Sequence, residues 1–372
     1  MRFCRSVLRR SSLSLPTRHA QCGRNRPRRR NAAMEPESQG EDWMTPTPGL
    51  RAFGLAAAFV LAAGTLPAKA QTYPSKTIVI VVPSAAGGPA DVAIRAIAEP
   101  MSQALGQQIV VDNMAGAGGT LGMARVARAE PDGHTLLIHQ NGFAIAPALY
   151  KTLPFNTEKD FVAAGMVNRS HLIWAGRKTL APNTFAEMVA WMKGPGKPAK
   201  VAHPGVGTLG HLQTTMLIKG IGTDVSMVPY RGIAPAIKDL LGGHVDMAQI
   251  GAAVASAQVK SGSLKIFAVG AEKRDPLFPD VPTYVELGYK GMDKPFWHAL
   301  FAPAKTPRPV LERINAALQT ALADPKVLEA YKRTFVQAYP KDQQSLAAVQ
   351  KYVLDEIAFW GKVVRDNNIT VE

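Results

Sequence analysis

The chain has 372 residues, 47% of them hydrophobic, and a formal net charge of +15. That length permits two or three domains, and that composition is ordinary for a globular protein. Its only two cysteines, Cys4 and Cys22, lie near the start. Beyond them there is no disulfide, no thiolate nucleophile and no cysteine metal site.

Residues 1–43 hold ten Arg, no Lys and four acids, a net +6. "RNRPRRR" (residues 24–30) has the composition of a nucleic-acid patch. The next stretch of chain argues differently. "LRAFGLAAAFVLAAGTLPAKA" places Arg51 before an apolar run over residues 52–63 and ends in Ala68-Lys69-Ala70. This is the basic, apolar, A-x-A order of a secretory signal, and the run is too short for a membrane span. Residues 44–70 are therefore expected to be a cleaved signal peptide and Gln71 the mature N-terminus. A signal begins its chain, so translation is expected to start at Met44 or Met34, with residues 1–43 a non-native or disordered leader. Residues 71–372 keep a net +7, which attracts anions without requiring DNA.

"KTIVIVVP" (residues 76–83) is a continuous β-branched run, as in a strand covered on both faces. After "SAAGGPAD", Ile94, Ile97, Met101 and Leu105 recur at helical spacing, and Gly106 supplies a stop. "QIVVDN" reads as the next strand, "AGAGGTLGMARVARAEPDG" as turn and helix, and "HTLLIHQ" as a third strand. A second set begins near Leu172, with "HLIWAG" as strand, "TFAEMVAWMK" as helix and "GPGKPAK" as an exposed connection. "VAHPGVGTLGHLQTTMLIKGIG" and "VSMVPYRGIAPAIKDLLGGHVDMAQIGAA" each give strand, turn and helix, and "LKIFAVG" a later strand. The last third reads as helical, with stripes at Val310, Ile314, Ala317, Leu318 and Ala321 and at Val349, Val353, Ile357 and Trp360. Alternating strands and helices predict a parallel α/β sheet.

Catalytic chemistry has little support. The Gly87-Gly88 turn lacks the lysine and Ser/Thr of a Walker loop. "GAGGTLG" has G-x-G-x-x-x-G spacing, and no acid stands at a strand end about 20 residues on to hold a ribose. His134 and His139 lie five apart on a strand and face opposite sides, while His203 and His211 flank a turn without a nearby acid. No G-x-S-x-G elbow occurs. The recurring unit is a strand with a turn of small residues after it: "SAAGGPAD", "HPGVGTLGH" and "NGFAIAP" expose backbone amides, the first two before helix N-termini. Unpaired N–H groups and the positive end of the helix dipole suit an anion. An ordinary βα turn uses glycine in the same way. Several such turns in an exported chain without catalytic groups point to solute capture.

"YPSKTIVIVVPSAAGGPAD", "DNMAGAGGTLG", "RAEPDGHTLLI", "PALYKTLPFNTEKDF", "HPGVGTLGHL", "VPYRGIAPAIKDLLGGHVD" and "RDPLFPDVPTYVELGY" stand in this order along the chain. With them, residues 73–368 resemble the Bug-type solute-binding proteins of tripartite tricarboxylate transport systems. The resemblance implies a two-lobed, periplasmic-binding-protein-like (type II) α/β fold with a ligand cleft between lobes that close by hinge motion. The expected division is lobe 1 over residues 71–171 and 295–372 and lobe 2 over residues 172–294.

It also implies a small carboxylate ligand held by main-chain amides and ordered waters. The first-lobe turn matches Ser84, Ala85, Ala86, Gly87, Gly88, Ala90 and Asp91, with Gly88, Ala90 and Asp91 giving backbone contacts. A neighbouring turn matches Asn141 and Gly142. On the second lobe the match falls on Gly205, Gly207, Thr208 and His211, with Thr208 donating its hydroxyl, and on Tyr230 and Ala234. No cofactor, metal or catalytic residue is implied. The expected partners are the ligand and either transporter subunits or a sensor, for a periplasmic monomer that does not bind nucleic acid. Two departures stand out. Ser84 replaces the family's usual aromatic residue, removing a bulky wall, and Met114-Ala115 replaces its Arg-Pro, removing a cation. The rival reading is an exported enzyme acting on an organic acid with His211 as base. Asp91 likewise has two readings, a contact to a ligand amino group or a favourable charge in the first turn of a helix.

The processing reading is testable. Expressed in a bacterium with a secretory pathway, the mature protein should begin near Gln71 on N-terminal sequencing. An intact Met1 on the functional protein would overturn it.

Overall fold

The computed structural model describes residues 72–370 apart from Lys197 and Leu277. The leader and signal sequence lie outside the described residues. Eleven strands are described in two sheets. In chain order they are β1 (Ile78–Val82), β2 (Ile109–Asn113), β3 (Thr135–Gln140), β4 (Phe161–Ser170), β5 (Leu172–Arg177), β6 (Ala199–His203), β7 (Val225–Pro229), β8 (Met247–Gly251), β9 (Leu264–Val269), β10 (Phe296–Pro303) and β11 (Gln337–Ala338). The helices the site depends on are α1 (Pro89–Leu105), α2 (Thr120–Ala127), α3 (Gly142–Leu149), α4 (Phe185–Lys193), α5 (Leu209–Ile221) and α6 (Ile233–Gly242). Four more complete the set: α7 (Ser256–Lys260), α8 (Arg308–Leu322), α9 (Pro325–Arg333) and α10 (Leu346–Asp366).

The first sheet runs β11-β4-β10-β3-β1-β2 and the second β7-β6-β8-β5-β9. Both are mixed. In the first, β1 pairs in parallel with β2 and β3, but β10 is antiparallel to β3 and β4. In the second, β6 is parallel to β7 and β8, and β5 is antiparallel to β8 and β9. The expectation of a purely parallel sheet therefore fails at β5 and β10, the strands that come directly after the two crossings between sheets, and at the short edge strand β11, which is antiparallel to β4. Part of the last third, expected to be helical, is β10 itself. Its residues "FWHALFAP" are buried almost throughout, so they lack the alternation that marks a half-exposed strand.

Period-two alternation explains how one sheet serves two cores. On β1, Val81 packs on one face with Leu137 of β3 and with Trp297, Ala299 and Phe301 of β10. Ile78, Ile80 and Val82 pack on the other with Leu136, Ile138, Leu300 and Ala302. Helix α1 lays Ile94, Ile97, Met101 and Leu105 on this second face, as its spacing predicts. Ile314, Ala317, Leu318 and Ala321 of α8 cover the same core, and Val349, Val353, Ile357 and Trp360 of α10 the first.

The sheets are joined twice. β4 passes to β5 with only His171 between them. The second crossing runs from the end of β9 to the start of β10. The two crossings are hydrogen-bonded to each other: Gly270 N–H donates to Leu172 O at 2.8 Å, and His171 Nδ1 donates to Gly270 O at 3.0 Å. A Cβ on Gly270 would stand 2.9 Å from Met292 O and 3.1 Å from Leu172 O, so only glycine allows this approach.

Glu356 of α10, 1% exposed, locks the second crossing to the first sheet. Its Oε2 accepts from the indole of Trp297 at 3.0 Å, the indole of Trp360 at 2.9 Å and Asn141 Nδ2 at 3.4 Å. Its Oε1 lies 3.2 Å from Lys294 Nζ. Asn141 in turn donates to Pro295 O at 3.0 Å and accepts from Trp297 N–H at 3.1 Å. Glu356→Ala would strand two buried indoles and a lysine, and should lower stability by about 3–5 kcal/mol. Denaturant unfolding checks this, and a loss below about 1 kcal/mol would mean that the cluster is not a lock.

Candidate functional site

Within each half, the parallel strands bring the turns at their C-terminal ends to one sheet edge. In the first half these are the turns after β1, β2 and β3. In the second they are those after β6 and β7.

The first turn is shaped by its own side chains. Asp91, 3% exposed, accepts from Gly87 N–H at 2.8 Å, Arg95 Nε at 2.9 Å and Asn113 Nδ2 at 3.0 Å. Burial pushes its pKa up, but hydrogen bonds from Arg95, Gly87 and Asn113 outweigh that and hold the carboxyl below the usual aspartate value. Both carboxylate oxygens are thus occupied in shaping the turn, a role beyond either reading made from the sequence.

The two glycines serve different ends. Gly87 has φ +78° and open space around it, so it supplies a left-handed angle. Gly88 is extended (φ −74°, ψ 169°), and a Cβ there would stand 3.1 Å from Ala85 O and 3.3 Å from Ser84 Oγ. Its amide donates to Ala85 O at 3.2 Å. Two of the turn's amides are therefore committed internally. Among the described residues, the amides of Ala90 and Asp91 have no acceptor, as expected in the first turn of a helix that opens with Pro89. Ala85 and Ala86 are exposed, and the Ser84 hydroxyl is buried without a partner. The departure to Ser84 thus puts a polar atom beside the α1 terminus.

The third stretch, "NGFAIAP", is helix α3 itself rather than an open loop. Phe143, Ala144, Ile145 and Ala146 are all buried, so an apolar all-round helix forms where amides were expected to be exposed. Asn141 is fully buried and spends its side chain on the Glu356 cluster. Gly142 packs over the His139 ring, where a Cβ would meet Cε1 at 3.1 Å.

On the second half, Thr208 caps α5. Its hydroxyl donates to Gly205 O at 2.8 Å and accepts from His211 N–H at 3.3 Å. The hydroxyl proton expected to face a ligand is therefore committed to the turn. Gly207 N–H donates to His211 Nδ1 at 3.3 Å. The His203 and His211 rings lie 4.7 Å apart at 34°. Tyr230 donates to Asp239 Oδ2 at 2.5 Å, which, after burial, pushes its pKa up to about 12. Tyr230 N–H bonds His203 O at 3.0 Å and Gly232 N–H bonds Pro204 O at 3.1 Å, so the two second-half turns are tied together. Ala234 is exposed in the first turn of α6.

The two halves meet where α3 ends. A Cβ on Gly207 would stand 2.5 Å from Leu149 Cδ2 and 3.9 Å from Tyr150 Oη, and one on Gly118 would overlap the same oxygen. Leu149 and Tyr150 were not singled out from the sequence. Their signal was only an apolar stretch ending in an aromatic residue, "PALY". Among the described residues no group of three or more His, Cys, Asp or Glu side chains is placed to hold a metal ion.

Burial sets the acid sensitivity. Desolvation lowers His139 to about 4, lowers His211, beside His203, to about 4, and lowers His298, near His139, to about 3. A folded pKa below the unfolded value of about 6.5 means that the unfolded chain binds protons first as pH falls. Stability from these histidines is thus whole above about pH 6.5 and is lost progressively toward pH 4. Asp91 adds a loss only below the ordinary aspartate value. The thermal midpoint should fall between pH 7 and pH 4.5, and His211→Gln should flatten that slope. A midpoint independent of pH over this window would refute the assignment.

The chain has clear counterparts among known proteins. Residues 93–369 match the model of the "Tripartite tricarboxylate transporter family receptor". The chain is 39% identical over 312 residues to the UPF0065 protein in the TAR-I ttuE-ttuC' intergenic region of Agrobacterium vitis, covering 83% of this chain and 90% of that protein. Among solved structures it superposes on the periplasmic binding protein BugD with a TM-score of 0.74 at 36% identity, over 80% of this chain and 100% of that one. It superposes on MatC from Rhodopseudomonas palustris, solved with bound malate, with a TM-score of 0.73 at 34% identity, over 78% and 100% of the respective chains. The two-sheet α/β architecture is that of periplasmic binding proteins, and by sequence the chain belongs to the tripartite tricarboxylate transporter receptor family.

Proposed function

We propose that this protein is an exported receptor that captures a small carboxylate compound between its two halves and presents it to a membrane transporter of the tripartite type. The observation that carries the reading is the N-terminus of α1. There the Ala90 and Asp91 amides have no acceptor among the described residues, and the buried Ser84 hydroxyl stands beside them unpartnered. A carboxylate satisfies all three with no cation. MatC, 34% identical, holds malate.

The lobes divide at the crossings, residues 71–171 with 295–372 on one side and residues 172–294 on the other. Hinge closure then brings the turns after β6 and β7 onto a ligand seated on α1. Gly205 and Gly207 contribute backbone there, and Tyr230 and Ala234 a wall. Receptor rather than catalyst is also the reading that suits His211: at a pKa of about 4 it is a weak base at neutral pH, and its Nδ1 already accepts from Gly207.

The test is mass spectrometry of the compound released from protein purified without refolding, and then titration of that compound. At 100 times its dissociation constant it should stabilise the folded state by about 2.7 kcal/mol. A released compound lacking a carboxylate, or steady turnover of a carboxylic acid, would overturn the proposal.

A further inference from the structure

Tyr150 ends α3 with its backbone fixed: its N–H donates to Ala146 O at 3.0 Å, and its φ and ψ are −96° and 124°. Its phenol oxygen reaches the seam between the halves. Gly118 (φ +64°) of the turn after β2 lies directly beneath it, and Gly207 (φ +80°) of the turn after β6 lies beside it. A side chain at Gly118 would occupy the place of the hydroxyl.

Four other donors around this seam are committed. Gly119 N–H bonds Gly116 O at 2.9 Å, Thr208 N–H bonds Gly205 O at 3.4 Å, Gly207 N–H bonds His211 Nδ1, and the Thr208 hydroxyl bonds Gly205 O. The Tyr150 hydroxyl has no hydrogen-bond partner among the described residues. Burial raises its pKa above the ordinary tyrosine value, so it is a proton donor at neutral pH. A half-buried phenol placed between two turns and lacking a protein acceptor is free to donate to whatever enters the seam, water or ligand. Packing alone would be served as well by phenylalanine.

We infer that Tyr150 sets the selectivity of this site, its hydroxyl donating to a second oxygen of the bound acid, away from the carboxylate held at the start of α1. The inference rests on the carboxylate reading above. It makes the site favour acids carrying a second oxygen acceptor over monocarboxylates of the same length, because the latter leave the phenol unpaired. It also assigns Gly118 and Gly207 a shared purpose, since both clear space along the path of the Leu149–Tyr150 pair.

The experiment is calorimetric titration of the wild type and of Tyr150→Phe with matched acids: succinate against butyrate, glutarate against pentanoate, and adipate against hexanoate. Thermal unfolding of both proteins is measured alongside. The wild type should prefer the dicarboxylate in at least one pair. Tyr150→Phe should erase about 10- to 100-fold of that preference, the worth of a hydrogen bond to a charged acceptor, while monocarboxylate affinity and the thermal midpoint hold. A preference that survives unchanged in Tyr150→Phe overturns the role of Tyr150 and leaves the carboxylate reading standing. Equal loss of affinity for both members of a pair makes Tyr150 a packing residue and also overturns it. A wild type that prefers the dicarboxylate in none of the pairs overturns this inference, while the carboxylate reading is decided separately by the compound released from the purified protein.

Discussion

A buried carboxylate, that of Glu356, fixes where the chain passes from one half of the molecule to the other. Taking such a group out of water costs several kcal/mol unless donors surround it. Here they come from three places far apart in sequence: Asn141 after β3, Trp297 at the start of β10 and Trp360 one turn further along α10, with the ammonium of Lys294 on the second crossing as the opposite charge. None of these donors can move without leaving an unsatisfied group in the core. The crossing is thereby registered against the first sheet. Through Asn141, so is the start of α3, which ends at Leu149 and Tyr150 on the seam. A second buried polar set works on the other half, where the Tyr284 hydroxyl, Gln249 and Gln213 run in series and Gln213 reaches toward the carbonyls of Met292 and Lys294. The crossing is thus gripped from both sides.

The site divides its labour unusually. Its conspicuous polar side chains, Asp91, Asn141, Thr208 and Tyr230, hold turns or core clusters together rather than stand open for a ligand. Among the described residues, the groups there without a hydrogen-bond partner include two backbone amides at the start of α1, one buried serine hydroxyl and one half-buried phenol. A receptor must release its captured solute, and neutral donors on a fixed frame bind with less grip than a buried charge pair and leave less to undo.

Much of the fold could be read from pattern alone. Strand β1 emerges from its continuous β-branched run, and the buried stripes of α1, α8 and α10 from helical period, with a glycine stop at the end of α1. The turns after β1, β6 and β7 could be placed because glycine and proline punctuate them. The rest depended on contacts between distant segments. "FWHALFAP" is buried on both faces, so it carries no alternation, and its antiparallel direction is set by the crossing before it. "GFAIAP" is apolar all round, so neither period stands out, and its helix is fixed by the elements that cover it. Asp91 and Thr208 could be located from sequence but not given their roles, since Asx- and Thr-type side chains serve equally well as caps and as ligand contacts. Tyr150 carries no local signal because its glycine neighbours, Gly118 on its own half and Gly207 across the seam, are 32 and 57 residues away.

The position of β10 also governs the order in which the molecule can assemble. This strand lies between β3 and β4, pairing Ala299 with His139 on one side and Met166 on the other. As the chain emerges from its N-terminus, β1 to β4 leave a gap in the first sheet, and every strand of the second sheet precedes the one that fills it. The first half therefore cannot mature by itself, and its long-range pairings place closure late. A nascent chain with an unfilled central slot is kept from premature compaction. That delay is compatible with export, the fate of periplasmic binding proteins such as BugD.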